Sequence, residues 1–284
     1  MSYNFLGIDF FDSSRNDLIV EIKKIINGQE QKYIVTPNSE ILLLAEQDKS
    51  FKSILQQADI ALPDGIGILW ASWFLSLPRR FIIFKPLFVI YTILQWMISG
   101  ILIIFKPRGL FQQIKTRLSG SDIVLDILRL SEEQKIRVGG LLRAGGLTTI
   151  TTMEQKIKRN YPNINCKLWE TQNFDDYSLS INKISEINEF SPQIMLVAIG
   201  APRQEKLIAR YLRDWPSVKI AMGVGGTFDF ITERKIRAPK SWQLMGIEWL
   251  WRLIIQPNRI LRIYRAVFKF SWMVVKIKIL DTKY

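Results

Sequence analysis

Residues 86–105 form a run of 20 without one charged side chain, set in the middle of a chain that otherwise alternates short apolar strands with helices. Wound as a helix, such a run is ~30 Å long, the thickness of a bilayer's hydrocarbon core. If the parts on either side form one domain, both ends must return to the same side of a membrane, so a single straight span is forbidden. Two membrane forms satisfy this. One is a re-entrant helical hairpin that breaks near residues 95–100, and the other is a helix lying in the interface. A hairpin buried in a soluble core is the alternative. Arg79 and Arg80 before the run, and Lys106 and Arg108 after it, suit ends that both face the cytoplasm.

Before this run the chain reads as α/β. Residues 31–35 look like a strand, 36–38 like a turn, and 39–47 like a helix capped by Asn38 or Ser39. Residues 60–62 read as a short buried strand, and a helix could open at 67–74. After the run, 137–139 is a weak strand end, with helices expected at 151–160, 178–190 and 203–213. Strands are expected at 165–169, 194–198 and 218–222. Strands separated by helices at this spacing imply a parallel sheet.

Residues 242–253 and 258–280 read as two closing helices. At 100° per residue, Arg259, Arg262, Arg265, Lys269 and Lys276 share one stripe, with aromatic and aliphatic residues over much of the rest and Lys278 off the stripe. A basic amphipathic helix of this kind is a membrane-surface pattern, the other reading being a helix with a solvated basic face. The expected organisation is an α/β domain from 1–78 and 109–240, an apolar membrane-associating insertion at 79–108, and a basic helical segment at 241–284.

Charge and residue types narrow the chemistry. The net charge is +13 and hydrophobic residues make up 48%, a pairing that favours a membrane surface over nucleic acid. A nucleic-acid module is supported by charge alone and is not expected. With no His and one Cys, Cys166, the chain can build neither a Ser-His-Asp triad nor a His or Cys zinc site. A general base must be Asp, Glu, Lys or Tyr. Residues 1–12 lack the pattern of a signal peptide, so a cytoplasmic location or attachment to the membrane from inside is expected.

Four segments at predicted strand ends could carry chemistry, because ligands of open parallel sheets bind there. Thr36-Pro37-Asn38 offers a hydroxyl and an amide to a sugar, or only a helix cap. Pro63-Asp64-Gly65-Ile66-Gly67 holds a carboxylate on a rigid turn, or is only a turn. Residues 200–206 set a turn into a helix N-terminus, where N–H groups can hold phosphate. Residues 223–229 place Gly223, Gly225 and Gly226 after a strand and before Asp229, as a backbone approaching a diphosphate would require. They match neither the P-loop nor the dinucleotide fingerprint.

In order, these segments resemble the WecG/TagA/CpsF glycosyltransferases, as do Arg117-Leu118-Ser119-Gly120-Ser121-Asp122, Arg237-Ala238-Pro239, residues 248–253, Pro257-Asn258-Arg259 and Arg262. The resemblance implies a Rossmann-like, mostly parallel α/β fold and inverting transfer from a UDP-sugar to a polyprenyl-diphosphate-linked saccharide at the cytoplasmic face of the bacterial inner membrane. It implies Asp64 as general base beside Thr36. It also implies a donor site from Asn38, Arg117, Gln204, the glycine loop and Asp229, with Arg237 among the binding residues. Arg252, Arg259 and Arg262 fall in the segment that seats on the membrane and completes the site. No metal and no cofactor are implied. An inactive membrane scaffold of the same fold is the alternative. The chain departs from the family in its long apolar stretch after residue 69, in residues 137–152, and in Glu233, which stands where glycine is common.

Overall fold

A computed structural model describes residues 2–105, 117–171 and 178–280. The chain opens with an antiparallel hairpin, β1 (Ser2–Phe5) and β2 (Ile8–Phe11), followed by α1 (Arg15–Asn27). Then come β3 (Lys32–Val35), α2 (Ser39–Gln47), α3 (Lys49–Gln56), β4 (Ile60–Ala61), α4 (Ile66–Ser76) and α5 (Lys85–Phe105). The second half contains α6 (Gly120–Glu133), β5 (Val138–Arg143), α7 (Ile150–Asn160), β6 (Cys166–Thr171), α8 (Ile181–Phe190), β7 (Ile194–Ala198), α9 (Arg203–Tyr211) and β8 (Ile220–Gly223). It closes with α10 (Thr227–Ile231), α11 (Lys240–Leu244), α12 (Glu248–Ile255), α13 (Ile260–Tyr264) and α14 (Phe270–Leu280).

The eight strands form one sheet in the order β1-β2-β4-β3-β8-β7-β5-β6, parallel except at the opening hairpin. The Rossmann-like reading therefore holds. Strand alternation divides the apolar side chains between two cores. Tyr33, Val35, Met195, Val197 and Ala221 pack on one face with α2, α3, α4, α9 and α14. Ile34, Ile194, Leu196, Ile220 and Met222 pack on the other with α1, α6 and α7. Both faces are covered, as the strands' continuous apolar runs require.

The strand end expected at 137–139 is instead the start of the six-residue β5. Its two glycines make room for neighbours: a Cβ on Gly140 would meet Leu168 Cδ2 at 2.4 Å, and one on Gly139 would crowd Trp169 and Met195 at 3.1 Å. Glu233 adopts φ +60°, a left-handed conformation that explains why glycine suits this position.

In the apolar parts, the hairpin alternatives are excluded and the reading of the closing segment is corrected. Residues 85–105 form one uninterrupted helix with no break near 95–100, since a single exposed glycine, Gly100, costs a helix only ~1 kcal/mol. Lys106 and Arg108 lie outside the described residues. The closing segment is not two plain helices. Gly246, at φ +73°, separates α11 from α12, and a π-helical turn at Arg265–Lys269 joins α13 to α14. That turn sends Lys278 into the protein, where it is fully buried and its Nζ donates to the carbonyls of Phe74 (2.7 Å) and Leu77 (3.1 Å) at the end of α4. Phe270, Val274 and Val275 are buried beside it in the first core.

Candidate active site

The two halves of the sheet meet where β3 pairs with β8, and the carboxyl ends of these strands and their neighbours β4 and β7 carry the candidate residues. Thr36, at the end of β3, is buried, and its hydroxyl donates to the carbonyl of Gly223 at the end of β8, 3.4 Å away. Asn38 caps α2, its side-chain oxygen accepting from the N–H groups of Glu40 and Ile41 at 3.0 Å each. That commits the oxygen to the cap and leaves the amide NH2 as the group that could reach a ligand.

Asp64 follows β4 on a turn sewn down from both sides. Its N–H donates to the Pro37 carbonyl (3.2 Å), and the Leu118 N–H donates to the Pro63 carbonyl (3.1 Å). Gly65, at φ +96°, turns the chain into α4 immediately afterwards, a conformation glycine adopts without strain. Burial pushes the Asp64 carboxyl from 3.8 up to about 6. Arg117 opposes that rise, Glu248 reinforces it, and Arg252 and Arg237 oppose it more weakly.

Three of these charged neighbours are tied together, and the fourth has its own partner. Glu248 on α12 accepts from Arg117 at 2.9 Å and from Arg252 at 2.5 Å. Burial acts to raise its pKa, but the two arginines outweigh this and hold it below the usual carboxylate range. Arg237 grips Asp122 through both guanidinium nitrogens, at 2.6 and 2.9 Å. Segments more than a hundred residues apart thus meet around one carboxylate.

Gln204 and the glycine loop form a second group. Gln204 is buried. Its oxygen accepts from the N–H of Gly200 (3.1 Å) and of Gly225 (2.9 Å), and its nitrogen donates to Glu205 (2.7 Å). The side chain staples two loops together. Burial raises the Glu205 carboxyl to about 7, against the opposing hydrogen bond from Gln204. Gly225, at φ +52°, turns the chain before α10. Asp229 accepts from Thr148 at 2.8 Å and pairs with Lys235, whose ammonium also lies near Gly226.

Arg259 and Arg262 stand in the segment that follows α12. Arg262 forms a two-pronged pair with Glu40 at 2.9 and 2.8 Å. Burial lowers the Arg259 pKa, as does repulsion from Arg262 and Arg252, while Glu40 and Asp229 act in the other direction. Arg259 makes no ion pair among the described residues.

The structure therefore brings Thr36, Asp64, Arg117, Arg237 and Arg252 together, sets Gln204, Gly223, Gly225, Gly226 and Asp229 on the adjoining loops, and places Arg259 and Arg262 alongside. Sequence reading placed Asp122 and Glu248 in the segments that carry the resemblance but gave them no role, and it did not reach Glu40. Glu248 stands four residues before Arg252, a helical pair spacing that signals the contact, whereas nothing local links Glu40 to a residue 222 positions away. Among the described residues, no cluster of three or more acidic or sulfur side chains could hold a metal. A half-buried carboxylate with a raised pKa can accept a proton from a hydroxyl, and the surrounding guanidinium groups can hold phosphate oxygens.

Comparison with known proteins covers nearly the whole chain. The sequence profile of the Glycosyl transferase WecG/TagA/CpsF family matches residues 3–89 and 96–283, omitting only six residues inside α5. A Bacillus subtilis (strain 168) protein is 27% identical over 272 residues, covering 95% of this chain and 90% of the relative. A Bacillus spizizenii protein is 26% identical over 253 residues, 89% of this chain and 82% of the relative. One from Staphylococcus aureus (strain MRSA252) is 24% identical over 280 residues, 97% of this chain and 92% of the relative. Each is named an N-acetylglucosaminyldiphosphoundecaprenol N-acetyl-beta-D-mannosaminyltransferase.

Proposed function

Because the chain belongs to the WecG/TagA/CpsF glycosyltransferase family, we propose that it moves a sugar from a UDP-sugar to a polyprenyl-diphosphate-linked saccharide, with inversion and without a metal. The names of the relatives make an N-acetylmannosaminyl donor and an N-acetylglucosaminyl-diphosphoundecaprenol acceptor the first pair to test. The reaction takes place at the cytoplasmic face of the membrane that holds the acceptor lipid. Residues 1–78 and 109–240 act as the catalytic domain, while 79–108 and 241–284 attach it to the bilayer.

Asp64 takes the proton of the acceptor hydroxyl as that oxygen forms its bond to the anomeric carbon from the face opposite UDP. The bond from the anomeric carbon to the UDP oxygen breaks, and the electron pair leaves with the diphosphate. An alcohol is a weak nucleophile, and a carboxylate with a pKa of about 6 is a stronger base than an ordinary aspartate while remaining ionised at neutral pH. Thr36 lies beside this step. Asn38, Arg117, Arg237, Asp229 and the N–H groups of Gly225 and Gly226 hold the donor, and Gln204 fixes the loops that carry those groups. Arg252, Arg259 and Arg262 take the acceptor's diphosphate and nearby headgroups. Positive side chains stabilise the departing negative charge, the task a metal ion performs in other transferases.

The observation that carries this reading is the Asp64 carboxylate, raised to about 6 and ringed by Arg117, Arg237 and Arg252. The test uses the detergent-solubilised protein with UDP-sugars and short-chain polyprenyl-diphosphate sugars in the presence of a chelator. UDP release that requires the acceptor, and is lost in Asp64→Asn, is expected. Undiminished release from Asp64→Asn, or release that requires added metal, overturns it.

A further inference from the structure

α5 is the one helix among the described residues long and apolar enough to cross a bilayer, yet it is fastened to the protein along its length. Phe88, Thr92 and Ser99 on its inner face are buried, and Trp96 and Ile103 pack against the first core. Spacings of four, four, three and four residues place these five on one stripe, ~22 Å from end to end. Their partners come from the soluble body. The Arg79 guanidinium lies over the Phe88 ring at 5.5 Å, the Trp70 indole N–H donates to the Ser99 hydroxyl at 3.0 Å, and Trp96 meets Trp272 of α14 at 5.8 Å. A helix bound in this way cannot stand across a bilayer while the sheet stays in water.

The outer face is apolar throughout. Leu87, Ile90, Leu94, Met97, Ile98 and Ile101 are each 51–57% exposed, and Ile83, in the turn leading into the helix, is 91% exposed. Beyond the contact between Trp96 and Trp272 the apolar surface continues over Phe268, Tyr264 and Leu261, all exposed. Arg80, Lys85, Arg265, Lys269 and Lys276 are exposed at its margins. Neither residues 66–103 nor residues 252–280 contain an acidic residue.

We propose that α5 and the outer side of α13 and α14 form a single monotopic surface that lies in the plane of an anionic bilayer, with α5 parallel to the membrane and sunk to its outer face. An apolar strip margined only by cations matches acyl chains beneath anionic headgroups, and the two attractions act at the same depth. Arg259 and Arg262 lie in the same segment as Leu261 and Tyr264. This attachment therefore sets the active-site arginines at headgroup level, where the diphosphate of a lipid-linked acceptor is found. That last step rests on the function proposed above.

The experiment places a single spin label at Leu87→Cys, Leu94→Cys or Ile101→Cys in a full-length Cys166→Ser background, on vesicles of phosphatidylglycerol and phosphatidylcholine. The three sites share one face of the helix. An in-plane helix puts all three at one shallow depth, within ~5 Å of each other just below the headgroups. A spanning helix puts Leu94 near mid-bilayer and the other two near opposite surfaces, which would overturn the proposal. Labels that stay in water, with the protein self-associated or captured only by another protein, would overturn it as well. In addition, Ile90→Asp with Leu94→Asp should weaken vesicle binding roughly tenfold or more, while transfer to a short-chain acceptor in detergent is retained. Unchanged vesicle binding would count against the surface. The depth measurement needs no turnover, so a protein that lies flat but transfers no sugar would sink the proposed function and leave this inference standing.

Discussion

Replacing Asp64 with asparagine should abolish transfer and stabilise the protein at once. Burial, net of the surrounding charges, takes the Asp64 carboxyl from 3.8 to about 6. Asparagine has the shape of the protonated acid and never ionises. It keeps the neighbours and escapes the desolvation of the charge. The direction follows from linkage. A carboxylate whose native pKa is raised imposes a penalty that is absent below its unfolded value. The penalty grows from 3.8 to about 6 and is complete above that. At pH 7.5 the difference amounts to ~3 kcal/mol, or ~5–10 °C in Tm for a chain of this size. At pH 4.5 it shrinks to ~1 kcal/mol. Activity moves the other way, since loss of a general base slows transfer by ~10²–10⁴-fold. Denaturation of both proteins at the two pH values, run beside acceptor-dependent UDP release, measures each side. A variant less stable than the parent at pH 7.5, or one whose advantage is undiminished at pH 4.5, refutes the desolvation argument. A variant with full transfer refutes the assignment of the base. In the unaltered enzyme, kcat/KM should rise with pH through about 6 and then level.

Glu248→Gln removes the anion that raises Asp64 and frees Arg117 and Arg252 beside it, so the acidic limb of the rate profile should move down by roughly half a pH unit or more. Gln204→Leu leaves the Gly200 and Gly225 N–H groups without their acceptor. It should cost ~2 kcal/mol in urea denaturation and raise the donor KM more than it lowers kcat. Lys278→Met strips the Phe74 and Leu77 carbonyls of their donor and should destabilise by ~2–3 kcal/mol, with faster amide exchange at the junction of α4 and α14.

Where local chemistry decides structure, it was readable before any coordinates. The boundaries of α2 and β7 follow from the Asn38 cap and from an apolar run ending at a glycine turn. The hairpin of β1 and β2 escaped notice because its strands have four residues each and Leu6, not Asn or Gly, enters the turn at φ +56°. α1 carried a legible signal in its capping box of Ser14 and Asp17 ahead of buried Leu18, Ile22, Ile25 and Ile26. The site divides in the same way. Asp64 stands out in the sequence from its turn, whereas the charged residues that shift its pKa come from distant segments and no periodicity connects them. Gln204 stands out in the sequence at its turn, but the bonds of its side chain to the two loops join Gly200 and Gly225, which no local pattern links.

The π-helical turn at Arg265–Lys269 has a consequence for how this segment can change over generations. A π-turn holds one more residue than an α-turn, and everything after it is set by that extra position. Winding the same residues as a regular helix would rotate α14 by ~100°. Phe270, Val274 and Val275 would leave the core, and Lys278 would swing away from its two carbonyls. Losing one residue of the turn would instead convert it to an α-turn and leave α14 facing as it does, so the turn is the place where this segment can absorb a lost codon, whereas a loss elsewhere in α14 would turn its buried face away from the core.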